Sequence, residues 1–275
     1  MSDESRVSRR GTDGGVDKKG AGRQGRATDA LWGVASLALL LVVWQAGVTL
    51  FGVEAYVLPT PVEVGRELVV LLGSWTAWFN IGVTAFETLV GFVVGTALGM
   101  LVGYAVCHAP TLRLTIMPFL VFFQVAPKIA LVPIFIIWFG LGMVSKVVVV
   151  VSMVFFPVAL GMIEGLEAIP ASMLDLMRVL GATRHQTLVK VELPCAAPAL
   201  LASLKVGIIQ ALIGATVSEW MSGQSGLGYL QTLGSSTFNT PLLMSGIVLT
   251  IVLGLVLYAG LGVIERRLTS WKGGA

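Results

Sequence analysis

Residues able to catalyse a reaction or bind a metal are few in this 275-residue chain. The two cysteines, Cys107 and Cys195, and the two histidines, His108 and His185, do not fall at the spacings of a zinc site or a thiol redox motif. The sequence also lacks the GxxxxGK[ST] pattern that binds the phosphates of ATP. We therefore expect no metal, no cofactor, no catalytic residue and no enzymatic activity in the chain itself.

Three ionisable residues, Glu87, Lys128 and Glu219, lie inside long apolar stretches. A charged group is costly in the interior of a bilayer, so such residues are functional candidates if these stretches cross a membrane. The polar Gln124 lies close to Lys128 in the sequence. We expect Gln124, Lys128 and Glu219 to border a translocation pathway. The alternative is that Glu87 and Glu219 are hydrated at headgroup depth and that Lys128 pairs internally.

Charged residues are scarce and apolar residues abundant in the whole chain. The chain is 56% hydrophobic and 12% charged, with a mean hydropathy of +0.89, whereas a soluble domain carries roughly 25% charged residues. One soluble core cannot bury so much apolar surface, so the excess must face lipid. This excludes a soluble enzyme and a disordered chain, and the unclustered basic residues argue against nucleic acid as a partner.

Long apolar stretches predict an all-α integral membrane protein with six transmembrane helices. A helix needs about 20 apolar residues to cross a bilayer. Six stretches meet this requirement, and they cover residues 31–51, 81–106, 114–139, 144–163, 200–221 and 242–264.

The polar segments divide the chain further. Residues 1–30 hold seven Lys or Arg and five Asp or Glu without an apolar run, which predicts a disordered cytoplasmic tail. The other predicted parts are a first transmembrane helix over 31–52, an exterior segment over 53–80 with a surface helix at Pro61–Leu72, a core of five transmembrane helices over 81–265, and a cytoplasmic tail over 266–275.

Positive residues orient the helices, because cytoplasmic segments of membrane proteins are enriched in Lys and Arg. With the amino-terminal tail inside, fourteen of the eighteen Lys and Arg residues lie on that side. Arg66 and Lys146 then lie outside. The sequence therefore predicts that both termini are cytoplasmic.

The stretch over 164–198 lies on the cytoplasmic side and is too polar to cross lipid. It predicts a short helix that starts at Pro170 and ends in a left-handed turn at Gly181. Thr183 is expected to cap a second short helix, which Pro194 is expected to stop. Two short helices joined at a glycine form a compact surface for a soluble partner. The alternative is an ordered loop without a partner.

The spacing in this stretch resembles the EAA loop of ABC importer permeases. The family pattern is Glu-Ala-Ala, three residues, Gly, nine residues, Ile, any residue, and Leu-Pro. Asp175 keeps the first carboxylate, but leucine and methionine replace the two alanines. The positions that match in register are Gly181, Val191, Leu193 and Pro194.

Further runs resemble the nitrate/sulfonate/taurine branch of these permeases, including its members for thiamine-pyrimidine precursors. The resemblance covers roughly residues 55–272 and implies the type I ABC importer permease fold in a bacterial plasma (inner) membrane. The matching runs are Gln124 to Gly142, Phe155–Phe156–Pro157 and Gly226–Leu227–Gly228–Tyr229.

The resemblance also implies the partners of the chain. These are a second copy in a homodimer, two separate ABC ATPase subunits that hydrolyse ATP, and a periplasmic or otherwise extracytoplasmic solute-binding protein. The solute is expected to be a small polar nutrient, either an anion of the nitrate, sulfonate or taurine type or a pyrimidine, and the variant around Gln124 favours the pyrimidine. The residues implied in ATPase coupling are Asp175, Arg178, Leu180, Gly181, Ala182, Arg184, Val191, Leu193 and Pro194.

Two other classes of protein are alternatives to a permease. A self-sufficient secondary transporter usually has repeated halves with paired broken helices, and this sequence has one such break. A membrane-embedded enzyme needs paired acidic residues or a histidine-rich motif, and the sequence contains neither. The secondary transporter therefore remains the alternative.

Gly91, Gly95, Gly99 and Gly103 recur every fourth residue, so they share one face of the second predicted span. Small residues let a second helix approach closely within a membrane. We expect a tight helix contact along this face, which either slides during transport or packs statically.

Overall fold

The computed structural model describes the backbone of residues 18–268 and the side chains of residues 32–266. Within this part the chain is helical and contains no strand. The chain divides into two compact units, Met1–Val53 and Glu54–Ala275.

In the described part of the first unit, the helix is α1 (Lys18–Leu50). Its apolar part, Trp32–Leu50, is long enough to cross a bilayer. The backbone is helical from Lys18 onward, inside the stretch for which the sequence predicted a disordered tail. The rest of that predicted tail, residues 1–17, lies outside the described residues.

The second unit contains four further long helices joined by shorter elements. Among the described residues, five helices can cross a membrane. The number is six if the helix Pro110–Val125 and the segment from Lys128 to Phe139, which meet at 91°, form one broken span. The six predicted spans correspond to this second count. Most of the predicted tail 266–275 lies beyond the described residues.

In chain order the elements of the second unit are α2 (Pro61–Leu72), α3 (Trp75–His108), α4 (Pro110–Val125), a 3-10 turn (Lys128–Leu131), α5 (Val132–Phe139), α6 (Met143–Glu167), α7 (Ala171–Val179), α8 (Arg184–Thr187), a π turn (Leu188–Glu192), α9 (Leu193–Ser222), α10 (Leu227–Ser236) and α11 (Thr240–Leu268).

The helix α2 has the bounds that the sequence predicted for a surface helix. A capping box fixes its start: the Thr60 N–H donates to Glu63 Oε2 at 2.7 Å, and the Glu63 N–H donates to Thr60 Oγ1 at 3.3 Å. The Thr60 N–H and the Thr60 hydroxyl both donate to the Glu63 carboxylate, and these two hydrogen bonds lower the pKa of Glu63. Pro61 occupies the first turn, where its missing N–H would have no helical partner anyway.

The glycine stripe of α3 lies directly on the backbone of α6. Each glycine of the stripe is buried and faces α6. A Cβ added at Gly99 would lie 2.8 Å from the Phe155 carbonyl oxygen, and one at Gly103 would lie 2.6 Å from the Ala159 carbonyl oxygen. Since real Cβ atoms do not approach a backbone oxygen so closely, glycine alone permits this spacing of the two helices.

The helix α9 packs against α6 through similar small-residue contacts. Gly165 faces Ala196, where an added Cβ would lie 2.9 Å from the alanine Cβ, and Gly161 faces Ser203. The fully buried Val154 of α6 belongs to a core that also contains residues of α9. The helix α6 is therefore held between α3 and α9 and forms the centre of the bundle.

Lys146 lies inside the bundle, although the sequence placed it in an exterior segment. Its side chain is 3% exposed, and its Nζ donates to Oε1 of Glu87, which is 1% exposed, at 2.9 Å. A buried charge is tolerated only when it is paired. Glu87 is therefore not hydrated at headgroup depth, as the alternative reading supposed, because α6 supplies its counter-ion.

We predict that Gly99→Ala destabilises the protein by about 1–3 kcal/mol, because the new methyl group forces α3 away from α6. The matched control is Gly82→Ala on the same helix, where nothing lies within 4 Å of an added Cβ. Thermal unfolding of the purified protein in detergent measures both variants. A Gly99→Ala protein that melts with Gly82→Ala would contradict the close contact.

Candidate functional site

The polar segment between α6 and α9 folds into α7, a tight turn and α8. The turn is a Schellman motif: the Gly181 N–H donates to the Arg178 carbonyl and the Ala182 N–H donates to the Met177 carbonyl, each at 3.0 Å. Gly181 has φ +66°, a left-handed conformation that glycine adopts without strain. The left-handed turn predicted at Gly181 is therefore present.

The second helix of the segment begins with a capping box. The Gln186 N–H donates to Thr183 Oγ1 at 3.3 Å, and the Thr183 N–H donates to Gln186 Oε1 at 2.9 Å. The prediction that Pro194 stops this helix is wrong. The π turn Leu188–Glu192 joins α8 to α9, and Pro194 lies in the first turn of α9. The wider π turn accommodates the proline, which offers no N–H.

We call residues 171–187, which comprise α7, the turn and α8, the knob. Its inner face packs against the bundle, since Leu174 and Met177 contact the core that contains Val191. Its outer face carries Val179 and Leu180, whose side chains are 85% and 68% exposed. Large apolar side chains grouped at an exposed tip mark an interaction site.

The structure divides the nine residues implied in ATPase coupling into two groups. Val191, Leu193 and Pro194 lie at the base of the knob, where Val191 is buried and the other two are half-buried. They connect the knob to α9. The remaining residues lie in the knob itself and are Asp175, Arg178, Leu180, Gly181, Ala182 and Arg184.

Two contacts between acidic and basic side chains tie the helices together at the knob end. His108 Nε2 of α3 lies 3.0 Å from Glu192 Oε1 of the π turn, and Arg113 of α4 pairs with Glu167 of α6 at 2.5 Å. Sequence reasoning missed both acidic residues. Glu192 occupies a position that the EAA pattern leaves open, so that pattern carried no signal for it.

The break between α4 and α5 brings Gln124 and Lys128 together. Lys128 Nζ donates to the Gln124 carbonyl at 3.0 Å and lies 5.2 Å from the centre of the Phe156 ring. Gln124 Oε1 is buried and has no hydrogen-bond partner among the described residues. A groove of about 330 Å³ opens beside Gln124 and is also lined by Glu164 and Ser203.

Glu219 lies apart from this break. It is fully buried, accepting hydrogen bonds from Thr84 Oγ1 at 2.6 Å and from the Gly228 N–H at 2.7 Å. Lys146 marks the position of these buried carboxylates along α6, and Phe156, which faces Lys128, marks the position of the break. The two residues are ten positions apart, or about 15 Å along the helix. Glu219 is therefore neither hydrated at headgroup depth nor grouped with the residues at the break.

Sequence reasoning missed the partners of these buried carboxylates. Asn80, Thr84 and Glu87 are all buried in α3. Their separations of four and three residues place them on one helix face. Polar residues at this spacing within an apolar helix could have predicted a buried polar face. The sequence contained no such signal for Lys146, because a lysine at the start of a span fits an exterior loop equally well.

Comparisons with known proteins agree with this architecture. Residues 95–270 match the family described as "Binding-protein-dependent transport system inner membrane component". RibX, a riboflavin transport system permease protein of Chloroflexus aurantiacus, is 35% identical over 237 residues, which cover 86% of this chain and 88% of RibX.

Two further relatives are named for other solutes. SsuC, a putative aliphatic sulfonates transport permease protein of Bacillus subtilis, is 30% identical over 86% of this chain and 85% of its own length. ThiX, a formylaminopyrimidine transport permease protein of Halalkalibacterium halodurans, is 29% identical over 90% of this chain and 98% of its own length. Both types named by the sequence resemblance are therefore represented among the relatives.

A solved structure shares the fold. The MetNI methionine ABC transporter, in an inward-facing conformation, aligns with a TM-score of 0.63 over 71% of this chain and 97% of the MetNI chain, at 21% identity. This confirms the type I ABC importer permease fold expected from the sequence. The chain belongs to the family of binding-protein-dependent transport system inner membrane components and is a transmembrane permease subunit of an ABC importer, a transport subunit rather than an enzyme.

Proposed function

We propose that the separate ATPase subunits drive this permease by docking on the knob. The observation that carries the proposal is the exposed pair Val179 and Leu180 at a tip flanked by Arg178 and Arg184. An ATPase that binds the outer face displaces the bundle, because the inner face of the knob packs on the core of α6 and α9. The conduit then alternates between inward-facing and outward-facing states.

The knob end faces the cytoplasm and the α10 end faces outward in this proposal. The positive-inside rule supports the orientation, because the knob end holds Arg113, Arg178, Arg184 and Lys190. Both termini are then cytoplasmic in a bacterial plasma membrane. An extracytoplasmic solute-binding protein delivers the solute at the α10 end.

A second copy of the chain completes the conduit. The part of one chain that the structure describes supplies at most six spans, which is half of the permease core that the family resemblance implies. The short helix α5 and the end of α4 leave large apolar side chains exposed, including Phe122, Ile137 and Trp138. We infer that part of this surface faces the second copy and that the rest faces lipid.

The solute route passes the break between α4 and α5. Gln124 and Lys128 border it, since a groove opens beside Gln124, whose buried amide oxygen lacks a hydrogen-bond partner among the described residues. Irregular backbone within a membrane requires a protein interior or a water-filled cavity. Glu219 acts on the route through α10, because its carboxylate is fully buried.

The solute is a small polar nutrient, and we favour a pyrimidine over a sulfonate-type anion. The unpartnered Gln124 Oε1 can accept a hydrogen bond from an N–H group of a heterocycle. Lys128, which would attract an anion, already donates to the Gln124 carbonyl and faces the Phe156 ring. The similarity to RibX and ThiX, which are named for the transport of riboflavin and formylaminopyrimidine, supports this class.

We predict that Leu180→Asp weakens the association with the ATPase about tenfold or more, because a charge at the centre of an apolar contact is desolvated without a partner. The measurement is the amount of ATPase that co-purifies with tagged permease, followed by the ATPase activity of the complex. The matched control is Val57→Asp, an exposed valine in the loop before α2.

Two outcomes would contradict docking on the knob. In the first, Leu180→Asp retains as much ATPase as Val57→Asp. In the second, no ATPase co-purifies with the unaltered chain, and uptake proceeds without one. The second outcome would favour a self-sufficient secondary transporter.

We predict that Lys128→Cys reacts with a water-soluble, charged methanethiosulfonate at least about tenfold faster than Leu255→Cys, because thiolates form in water and not in lipid. Leu255 is a matched control on α11, where its side chain is 63% exposed. Cys107 and Cys195 are replaced by serine in both variants. Formylaminopyrimidine is expected to slow the reaction at position 128 more than taurine does.

Each part of this experiment can fail separately. Equal reaction rates at positions 128 and 255 would contradict the route past Lys128. Stronger protection by taurine than by formylaminopyrimidine would contradict a pyrimidine as the solute but would not contradict the proposed route.

A further inference from the structure

The first turns of α3 carry a polar face that is buried in an otherwise apolar bundle. Asn80, Thr84 and Glu87 are 3%, 0% and 1% exposed. Glu219 of α9 and Lys146 of α6 face them. Polar groups in such surroundings destabilise a fold unless each finds a partner. Their partners therefore indicate what this face does.

The partners are the backbone N–H groups at the start of α10. The Gly226 N–H donates to Asn80 Oδ1 at 2.7 Å, and the Leu227 N–H donates to Thr84 Oγ1 at 2.8 Å. The next amide, that of Gly228, donates to Glu219. The first N–H groups of a helix have no helical acceptor, and a glycine N-cap offers no side chain. Side chains of α3 and α9 replace the missing cap.

The Glu219 carboxyl group and Lys146 add to the same contact. The Glu219 carboxylate lies at the positive end of the α10 dipole, and its second oxygen accepts from the Thr84 hydroxyl. Lys146 Nζ, which pairs with Glu87, also donates to the Ser225 carbonyl at 3.3 Å. The three central helices of the bundle, α3, α6 and α9, therefore all bind the segment that leads into α10.

The glycines of the Gly226–Leu227–Gly228 run complement Glu219. Gly226 has φ +106°, and an added Cβ would overlap the Glu219 carboxylate. A Cβ at Gly228 would lie 2.5 Å from the Thr216 carbonyl oxygen and 2.8 Å from the Glu219 Cβ. Both glycines are thus required for the backbone to reach the carboxylate.

We propose that Asn80, Thr84 and Glu219 are positioning residues that fix α10 to the bundle, an arrangement we call the α10 clamp. With the clamp closed throughout the transport cycle, α10 moves together with α3 and α9 and does not open as a separate lid. The placement of α10 at the end that receives the solute rests on the function proposed above. The clamp itself rests only on the contacts within this chain.

Hydrogen exchange read by mass spectrometry tests the clamp in the full-length chain in nanodiscs. In the unaltered protein, the peptide that contains Gly226, Leu227 and Gly228 is expected to exchange slowly. Thr84→Val removes the acceptor of Leu227 and a donor to Glu219, so exchange in this peptide is expected to rise at least about tenfold. Thr84→Ser keeps the hydroxyl and is expected to restore slow exchange.

Thr88→Val is the matched control, because Thr88 is equally buried in the same helix, four residues further on, and its hydroxyl has no hydrogen-bond partner among the described residues. It is expected to leave exchange unchanged. If Thr84→Val does not fold, Glu219→Gln serves in its place. The glutamine retains an oxygen that accepts from the Gly228 N–H but lacks the second carboxyl oxygen, which accepts from Thr84. We therefore expect an exchange rate between that of the unaltered chain and that of Glu219→Ala.

The same peptide is then compared between nucleotide-free complex and complex trapped with ATP and vanadate. Equally slow exchange in both states supports a clamp that stays closed. Equal exchange in Thr84→Val and Thr88→Val, or a tenfold rise in the trapped state of the unaltered protein, would overturn the proposal. Failure of an ATPase to co-purify would instead contradict the proposed function, because the comparison of variants needs only this chain.

Discussion

The absence of water from the interior of a bilayer is the constraint on which this structure depends. An ionisable side chain within a span is costly unless it finds a partner inside the protein. The pair Glu87–Lys146 satisfies this requirement between α3 and α6, and Glu219 satisfies it between α9 and α10. The same constraint confines irregular backbone to the break before Lys128, where a groove and the Phe156 ring surround it.

These interactions join the central helices, the knob at one end and α10 at the other into one continuous body. At one end, the inner face of the knob packs on the core through Met177. In the middle, glycine contacts such as that of Gly99 with Phe155 hold α3 against α6. At the other end, the α10 clamp joins the next helix to the same bundle. A displacement of the knob is therefore transmitted along α6 and α9, so that the chain moves as a passive conduit.

The sequence predicted the features that depend on local chemistry or on the length of a span. The turn at Gly181 and the cap at Thr183 follow from residue types that favour those conformations. The helical continuation through Pro194 was not predicted, because a proline is expected to end a helix unless a wider turn such as this π turn accommodates it. The burial of Lys146 was missed for a related reason: hydropathy places a lysine at the end of a span, and only the tertiary fold brings Glu87 to it.

The central claim is that the knob end and the α10 end of one protomer move as a single body. Spin labels at Lys190→Cys and Gln224→Cys, two exposed positions at these ends, report their separation by pulsed electron resonance. Labelled chains are diluted with unlabelled ones so that only distances within one protomer are read. The account predicts that the distance in nucleotide-free complex and in complex trapped with ATP and vanadate agrees within about 2 Å. A shift of roughly 5 Å or more, on the scale of one helical turn, would contradict it.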